Sequence, residues 1–463
     1  MGSNLFGILS SAARGLEAQR VGLDVTGQNI ANVNTPGYSR RTVDIVAVPP
    51  PTRDSAGGGA DAATIRSQRD RLVERRLQLE TSGSSQYATI ADTIGQIESA
   101  LGTGASSLDS RMNDFFESAS ALADRPADAV ARQDVILQAS SLAKAFNGTV
   151  SRLQQIGRET DQRVISTVGQ INGLTDRIAK LNGVITTAAD SGSSLHAQDE
   201  QQELVNQLAG LTDVRISLRS EGGVDIDTAS GRSLVIGATA YTMDLGTTGV
   251  GGNHTVSLQG ADITSTLSGG SLGGLISVRD TTLPGYIQSL DEQASALATA
   301  VNAAHTAGYD LDGNAGQALF TFSTPPQGVT GAAAALQVNA NIAANGRLVA
   351  AAGTAQPGDN QAARALAAVR NARVMDNGTA TLFDSWGQFV GGIGLDVQGA
   401  GQERDVRKQI VGQLQSLRDQ VSGVSLDEEA LNLTKFQRAY EANAKLFAAV
   451  DDATQTLLNM VGR

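Results

Sequence analysis

The chain has 463 residues, of which 41% are hydrophobic and 4% aromatic, with no cysteine and a formal charge of −12. That length accommodates two to four domains. The missing cysteines exclude disulfides, thiolate metal sites and Cys nucleophiles, and the acidic balance argues against nucleic acid, whose binders carry basic patches. No apolar run reaches the roughly 18 residues a membrane-spanning helix needs. The first residues, MGSNLFGILSSAARG, lack a basic segment before their short apolar run, so no cleaved signal peptide is expected.

Leu5, Leu9, Ala12, Leu16, Leu23, Ile30 and Val33 recur at heptad-like spacing and predict a helix. Gly7, Gly15, Gly22 and Gly27 lie in the same run. Each costs about 1 kcal/mol against Ala, so this helix is expected to need docking for its order. Pro36 ends it by Thr35, and Pro36-Gly37 suits a type II turn. Tyr38 to Val48 alternates and predicts a strand or hairpin arm, followed by loop through Pro49-Pro50-Pro51 and Gly57-Gly58-Gly59.

From Asp61 the pattern predicts helix for well over a hundred residues. Leu72, Leu79, Tyr87, Ile90, Ile94, Ile97 and Leu101 share one expected face. A short helix carries Met112, Phe115, Phe116, Ala119 and Leu122 and stops before Pro126. A stripe then runs from Val135 through Leu142, Phe146, Val150, Leu153, Ile156, Val164, Val168, Ile171, Leu174, Ile178 and Leu181 to Ile185. A pattern this long predicts a coiled coil or elongated bundle.

Near Thr212 the period changes to two. Val214/Ile216/Leu218, Val224/Ile226, Leu234/Ile236, Tyr241/Met243/Leu245 and Val256/Leu258, separated by glycines, predict an all-β insert. Helix resumes over Leu275 to Ala307. Gly308 to Gly331 is turn-rich, and Ala332 to Gly353 is ambiguous between strand and helix. Three more helices are predicted, over Asn360 to Val374, Leu382 to Ile393 and Arg404 to Val421.

The last stretch carries a helix start. Ser425 and Glu428 fit a capping box, and Asp427, Glu428 and Glu429 suit a first turn. Leu426, Leu433, Phe436, Tyr440, Phe447, Val450, Leu457 and Met460 or Val461 recur at helical spacing, over a length of about 55 Å. Such a stripe needs a partner along its whole length. An antiparallel coiled coil of residues 3–34 with residues 426–460 buries both terminal stripes in one element. The glycines leave this pair thin, a candidate for a segment that orders on assembly.

Signals for chemistry are weak. There is no P-loop, HExxH, GxSxG or dinucleotide fingerprint. Asp310-Leu311-Asp312-Gly313-Asn314 has Thr321 where a calcium loop requires Glu, and reads as an Asp-Gly turn. His305 reads as a cap or packing residue, and His196, beside Asp199 and Glu200, as surface. Asp225/Asp227 and Asp451/Asp452 lack the apolar setting that tunes a carboxylate. No catalytic, metal or cofactor-binding residue is predicted.

The expected fold is mainly α: an elongated helical bundle or coiled-coil body, discontinuous in sequence, with paired N- and C-terminal helices and a β-rich middle domain. The expected segments are an N-terminal assembly helix and signature (1–38), an arm and long helical body (39–211), a β-rich insert (212–270), further body (271–320), an irregular insert (321–358), more body (359–422) and a C-terminal assembly helix (423–463).

Two motifs carry a resemblance. Asn29-Ile30-Ala31-Asn32-Val33-Asn34-Thr35-Pro36-Gly37-Tyr38 resembles the N-terminal signature of the flagellar rod, hook and hook-associated proteins. Gly423 to Leu433 with Gln437-Arg438-Ala439-Tyr440-Glu441-Ala442-Asn443-Ala444 is similar to their C-terminal signature. The middle resembles the hook-associated branch, through Gly273-Gly274-Leu275-Ile276-Ser277-Val278-Arg279-Asp280, Leu283-Pro284-Gly285-Tyr286, Val301-Asn302, His305 and Gly308 to Gly313. Asp124-Arg125-Pro126 with Ala131-Arg132, and Ile171-Asn172 with Ile178 to Asn182, fit the same branch.

The resemblance implies a non-catalytic junction protein of the bacterial flagellum, lying between hook and filament, templating filament assembly and exported without a cleaved signal to the outside of the cell. It implies a ring of copies, contact with the hook protein FlgE and a second junction protein FlgL, and an export chaperone FlgN; neither nucleic acid nor membrane insertion is implied. Assembly would fall to Leu9, Leu16, Leu23 and Ile30 with Leu433, Phe436, Tyr440, Phe447, Val450 and Leu457. The signature residues are Asn29, Ala31, Asn32, Thr35, Pro36, Gly37, Tyr38, Gln437, Ala439, Tyr440, Ala442 and Asn443. A rod or hook protein is the neighbouring reading. An extracellular enzyme with a site in the β insert and a coiled-coil signalling module are readings from other classes.

Overall fold

Asp70 sets the start of one of the longest helices. Its Oδ1 accepts hydrogen bonds from the backbone N–H groups of Leu72 (2.8 Å) and Val73 (3.2 Å), the arrangement of an N-cap. The computed structural model in which this is seen describes residues 2–35, 37–49, 58–102, 107–188, 191–220, 222–246, 250–354, 356 and 358–461.

In chain order the helices are α1 (Gly2–Ala31), α2 (Arg71–Leu101), α3 (Leu108–Asp124), α4 (Ala129–Thr187), α5 (Ser191–Leu211), α6 (Gly270–Ser277), α7 (Leu283–Thr306), α8 (Ala332–Ala335), α9 (Ala340–Ala344), α10 (Gln361–Ala368), α11 (Leu382–Ser422) and α12 (Leu426–Val461). The strands are β1 (Arg41–Ala47), β2 (Ala60–Ser67), β3 (Val214–Leu218), β4 (Val224–Thr228), β5 (Ser233–Ile236), β6 (Thr239–Ala240), β7 (Met243–Gly246), β8 (Thr255–Leu258), β9 (Ala261–Asp262), β10 (Phe320–Phe322) and β11 (Leu336–Val338). The chain is mainly helical with a small β-containing middle, and it divides into two units. One comprises Met1–Ser82, Ile171–Thr242 and Val406–Arg463; the other comprises Gly83–Gln170 and Met243–Asp405.

The first unit holds both terminal helices. β1 and β2 form an antiparallel hairpin running from Arg41↔Ser67 to Ala47↔Ala60, with a bulge at Asp44/Ile45. This corrects the expectation of helix from Asp61. The alanines of β2 favour helix locally, but the pairing with β1 fixes the segment as strand, and helix begins only beyond Asp70. Antiparallel β3-β4-β5-β6 make a four-stranded sheet. Asn182 of α4 is buried beside it. Its Nδ2 donates to the carbonyls of Val224 (2.7 Å) and Gly237 (2.6 Å), and its Oδ1 accepts from Val224 N–H and from Gln201 Nε2. A buried amide with every partner met is a strong positional lock.

The second unit has one large apolar core drawn from α2, α3, α4, α7, α10, α11 and the β10-β11 ribbon. At its centre Phe115 lies 5.1 Å from Phe116 and 5.7 Å from Phe320, with rings inclined as aromatic quadrupoles prefer. Asn302 of α7 hydrogen-bonds both the N–H and the C=O of Phe320, standing in for a strand neighbour. Asp291 receives the N–H groups of Gly331 and Ala333. α6 passes through a π-helical turn, Val278–Thr282, into α7, where Pro284 sits in the first turn. Arg279 of that turn is buried and bonds Asp161 (2.6 Å) and Asp280 (2.7 Å); Asp161 also holds His254 Nδ1 at 2.6 Å.

Three further expectations are corrected. The strands between Val214 and Asp262 form two sheets in different units, β3-β4-β5-β6 and β7-β8-β9. Residues 382–393 and 404–421 belong to a single helix, α11; its glycines weaken it by about 1 kcal/mol each, but Phe383, Trp386, Phe389, Val390 and Ile393 are held against the core. Leu72 and Leu79 do not share the buried face of α2. That face carries Val73 and Leu77, packed with Leu414 of α11. The ambiguous stretch from Ala332 resolves into α8, β11 and α9.

Candidate assembly interface

α1 and α12 pack antiparallel in the first unit, and the register reads from three contacts. Asn29 Nδ2 donates to Glu429 Oε2 at 3.1 Å. A Cβ built on Gly22 would lie 2.8 Å from the Phe436 ring, and one on Gly15 would lie 2.9 Å from Asn443 Oδ1. Each step of seven residues down α1 is therefore a step of seven up α12, the geometry of a coiled-coil seam.

The residues of α1 buried along this helix are small: Ala12, Gly15, Ala18, Gly22, Val25, Thr26 and Asn29. The glycines at 15 and 22 admit the side chains of α12 onto the helix backbone. Gly22→Leu is expected to destabilise the pair by about 2 kcal/mol through overpacking, and Phe436→Ala in the same chain to recover part of that loss. Urea unfolding of the two variants checks this, and additive costs would contradict it.

Asn29 anchors the junction between α1, the hairpin and α12. Its Nδ2 also donates to the carbonyl of Arg41 (2.9 Å), and its Oδ1 accepts from Arg41 N–H (3.0 Å) and Tyr38 Oη (2.8 Å). Glu429, equally buried, accepts from Arg40 Nε at 2.8 Å, while Arg40 Nη1 reaches Glu428 at 2.7 Å. Glu428 thus pairs with Arg40, where the capping box would have turned it back to Ser425. Arg40 N–H also bonds the carbonyl of Ser422 at 2.9 Å, tying the hairpin to the end of α11.

Charge is concentrated behind this anchor. Arg41 Nη2 meets Asp199 Oδ2 at 3.0 Å, and Arg69 bonds the other Asp199 oxygen. The Arg41 guanidinium lies 5.1 Å from the centroid of the Tyr38 ring, a cation–π distance. Burial pushes the Tyr38 phenol up to about 12, so it remains a hydrogen-bond donor to Asn29 at physiological pH. The turn between helix and hairpin is closed by Thr35 N–H to the Asn32 carbonyl (2.9 Å) and Thr35 Oγ1 to Asn32 Oδ1 (3.1 Å). Gly37 follows with φ +80°, a conformation that favours glycine.

The predicted residues are distributed as follows. Leu9, Leu16, Leu23, Ile30, Leu433, Phe436 and Phe447 are half-buried, Val450 is buried, and Tyr440 and Leu457 are exposed. Among the signature residues Asn29 is buried, Asn32, Gly37, Tyr38, Ala439 and Asn443 are half-buried, and Ala31, Thr35, Gln437 and Ala442 are exposed; Pro36 lies outside the described residues. The sequence reading did not single out Arg40, Arg41, Arg69, Asp199 or Glu429 as partners. Arg40 and Glu429 are 389 positions apart, and no local pattern links them.

Comparison with known proteins finds similar sequences along most of the chain. Residues 94–320 match the family described as flagellar hook-associated protein FlgK helical domain. Residues 9–38 match the flagella basal body rod protein family, and residues 418–460 match the flagellar basal body rod FlgEFG protein C-terminal family. The chain is 27% identical over 501 aligned residues to flagellar hook-associated protein 1 of Bacillus subtilis (strain 168), covering 98% of each. It is 25% identical to the protein of the same name from Escherichia coli (strain K12), covering 98% of this chain and 99% of that one. A solved structure of the flagellar hook junction protein FlgK from Burkholderia pseudomallei superposes with a TM-score of 0.67 at 17% identity, over 75% of this chain and all of the other.

Proposed function

The chain belongs to the FlgK family of flagellar hook-associated proteins, and from that premise we propose that it is the structural protein of the junction between hook and filament, with the α1/α12 pair as its assembly element. The observation that carries this reading is the Asn29–Glu429 anchor. It joins helices 400 positions apart while leaving Leu9, Leu16, Leu23, Ile30, Tyr440 and Leu457 half-buried or exposed. An apolar stripe that one partner helix only half covers is suited to being covered by further subunits.

In this reading the copies form a ring. One side meets the hook protein (FlgE), and the other receives the second junction protein (FlgL) and templates the filament. An export chaperone (FlgN) covers the C-terminal helix before assembly. The protein acts outside the cell, and it works by contact and not by catalysis. Among the described residues, no helix is long and apolar enough to cross a membrane.

A strain lacking the gene is expected to carry hooks without filaments, and the full chain supplied in trans to restore them. A chain lacking residues 424–463 is expected to keep the cooperative unfolding of its second unit yet stay off the flagellum. Electron microscopy of the three strains checks this. Filaments of normal number in the deletion strain would sink the reading.

A further inference from the structure

Beyond the terminal pair, α2 and α4 each carry a pair of exposed apolar side chains. On α2, Leu72 is 69% exposed and Leu79 67% exposed. Arg71, Arg75 and Arg76 lie exposed around them. On α4, Val130 is 76% exposed and Leu137 59% exposed. Here the neighbouring charges at the helix start are Asp124, Asp128 and Asp134, with Arg125 paired to Asp128 at 3.5 Å, and exposed Lys144 lies seven residues beyond Leu137. Both helices already use another face for packing: Val73 and Leu77 on α2, and Ala131, Val135, Ile136, Ala139 and Leu142 on α4. The exposed leucines are therefore a second apolar face on each helix. Isolated exposed leucines need no explanation, but seven-residue apolar pairs set among charges of predominantly one sign do.

We propose that the Leu72/Leu79 face of α2 receives the Val130/Leu137 face of α4 from a second copy of this chain. The inference rests on the reading of the protein as a self-assembling one. Two features select the occupant. The apolar pairs have the same spacing, two helical turns or about 10 Å, so both knobs of one face can seat against the other. The charges are opposite: α2 offers three arginines, and the start of α4 is net acidic. Both halves of the match stand on one polypeptide, so copies of the chain suffice to satisfy it. Two α2 faces would instead set arginine against arginine.

The contact is heterologous, joining different surfaces of successive copies. Such a contact closes into a ring or continues along a helix and does not stop at a dimer. Each face presents two apolar side chains, well short of the roughly 1,000 Å² expected of a stable standalone interface. One contact is weak, and repetition around an assembly multiplies it.

The chain has no cysteine, so introduced thiols are the only ones present. Flagella isolated from cells expressing the Leu79→Cys/Leu137→Cys double variant, mildly oxidised, are expected to give a ladder of dimers, trimers and larger species on a non-reducing gel. Either single variant is expected to give monomer, and the two singles co-expressed to give dimer only. Variant present in the flagella without a ladder, or Leu79→Cys alone giving dimer, overturns the proposal. Wild-type chain absent from the flagella instead overturns the assembly reading. As an independent arm, Arg75→Asp is expected to lower incorporation about tenfold through like-charge repulsion with Asp134. Asp134→Arg in the same chain should restore it, and failure of that rescue also overturns the proposal.

Discussion

Asn29→Asp is expected to unlatch α12 from α1 and to remove the protein from the flagellum, although the two side chains have nearly the same shape. The amide nitrogen of Asn29 donates to the Arg41 carbonyl and to Glu429. An aspartate has no such donor, and it would set a second carboxylate against Glu429 in a buried site. An unmet buried acceptor costs about 1–3 kcal/mol, and the like-charge contact adds to it, so a loss of about 4 kcal/mol in the stability of the terminal pair is expected. Hydrogen exchange of α1 and α12 is the direct readout, since both helices should lose protection together. Asn32→Asp serves as the control. Asn32 lies three positions on, donates to the Gln28 carbonyl of its own helix turn and is solvent-accessible, so its replacement should cost under about 1 kcal/mol. Equal effects at the two positions would contradict the role given to Asn29.

Acid is expected to weaken the second unit through His305. This residue is buried in the last turn of α7. Its Nδ1 pairs with the Gln317 carbonyl at 2.5 Å, and Nε2 accepts from Ala350 N–H at 2.9 Å. Those partners require a neutral ring protonated at Nδ1. Burial, with the nearby Arg132 guanidinium acting in the same direction, holds its pKa at about 4 against an ordinary 6.5. Between those values the unfolded chain takes up a proton that the folded chain refuses. The contribution is therefore whole above pH 6.5 and is lost as pH falls towards 4, up to about 3 kcal/mol. Urea unfolding at pH 7.5 and pH 5 should show most of this loss in the wild type. His305→Gln should be less stable at pH 7.5 but markedly flatter between the two. A wild-type slope unchanged by the substitution would assign the acid sensitivity elsewhere.

How far the sequence discloses this molecule depends on the range of the forces involved. Periodicity identified α3, α4 and α12 because a single helix face carries the signal over many turns. It failed at β2, where Ala-rich residues become strand only because β1 lies beside them, and at α11, where packing of Trp386 and Phe389 overrides the glycines. It placed Leu72 and Leu79 with the core stripe because spacing gives the apolar face but not which of two faces is covered. The pairing of the ends followed from two unpartnered stripes. The anchor that fixes their register did not, because Asn29, Arg40, Arg41, Asp199 and Glu429 come together only in the folded unit. The glycines at 15 and 22 look like defects in a helix read alone. Phe436 and Asn443 make them the sites of closest approach.

The distance along the chain between Asn29 and Glu429 also has a kinetic side. Closing a loop of 400 residues carries an entropy that local helices and hairpins do not meet, although it grows only logarithmically with length. Helices, hairpins and the aromatic core can form from nearer neighbours, so the α1/α12 pair is expected to close among the last elements. Until then a chain presents two weak apolar helices at separate ends, able to meet those of other chains. Late closure and readiness to polymerise are in this way two sides of the same long-range junction.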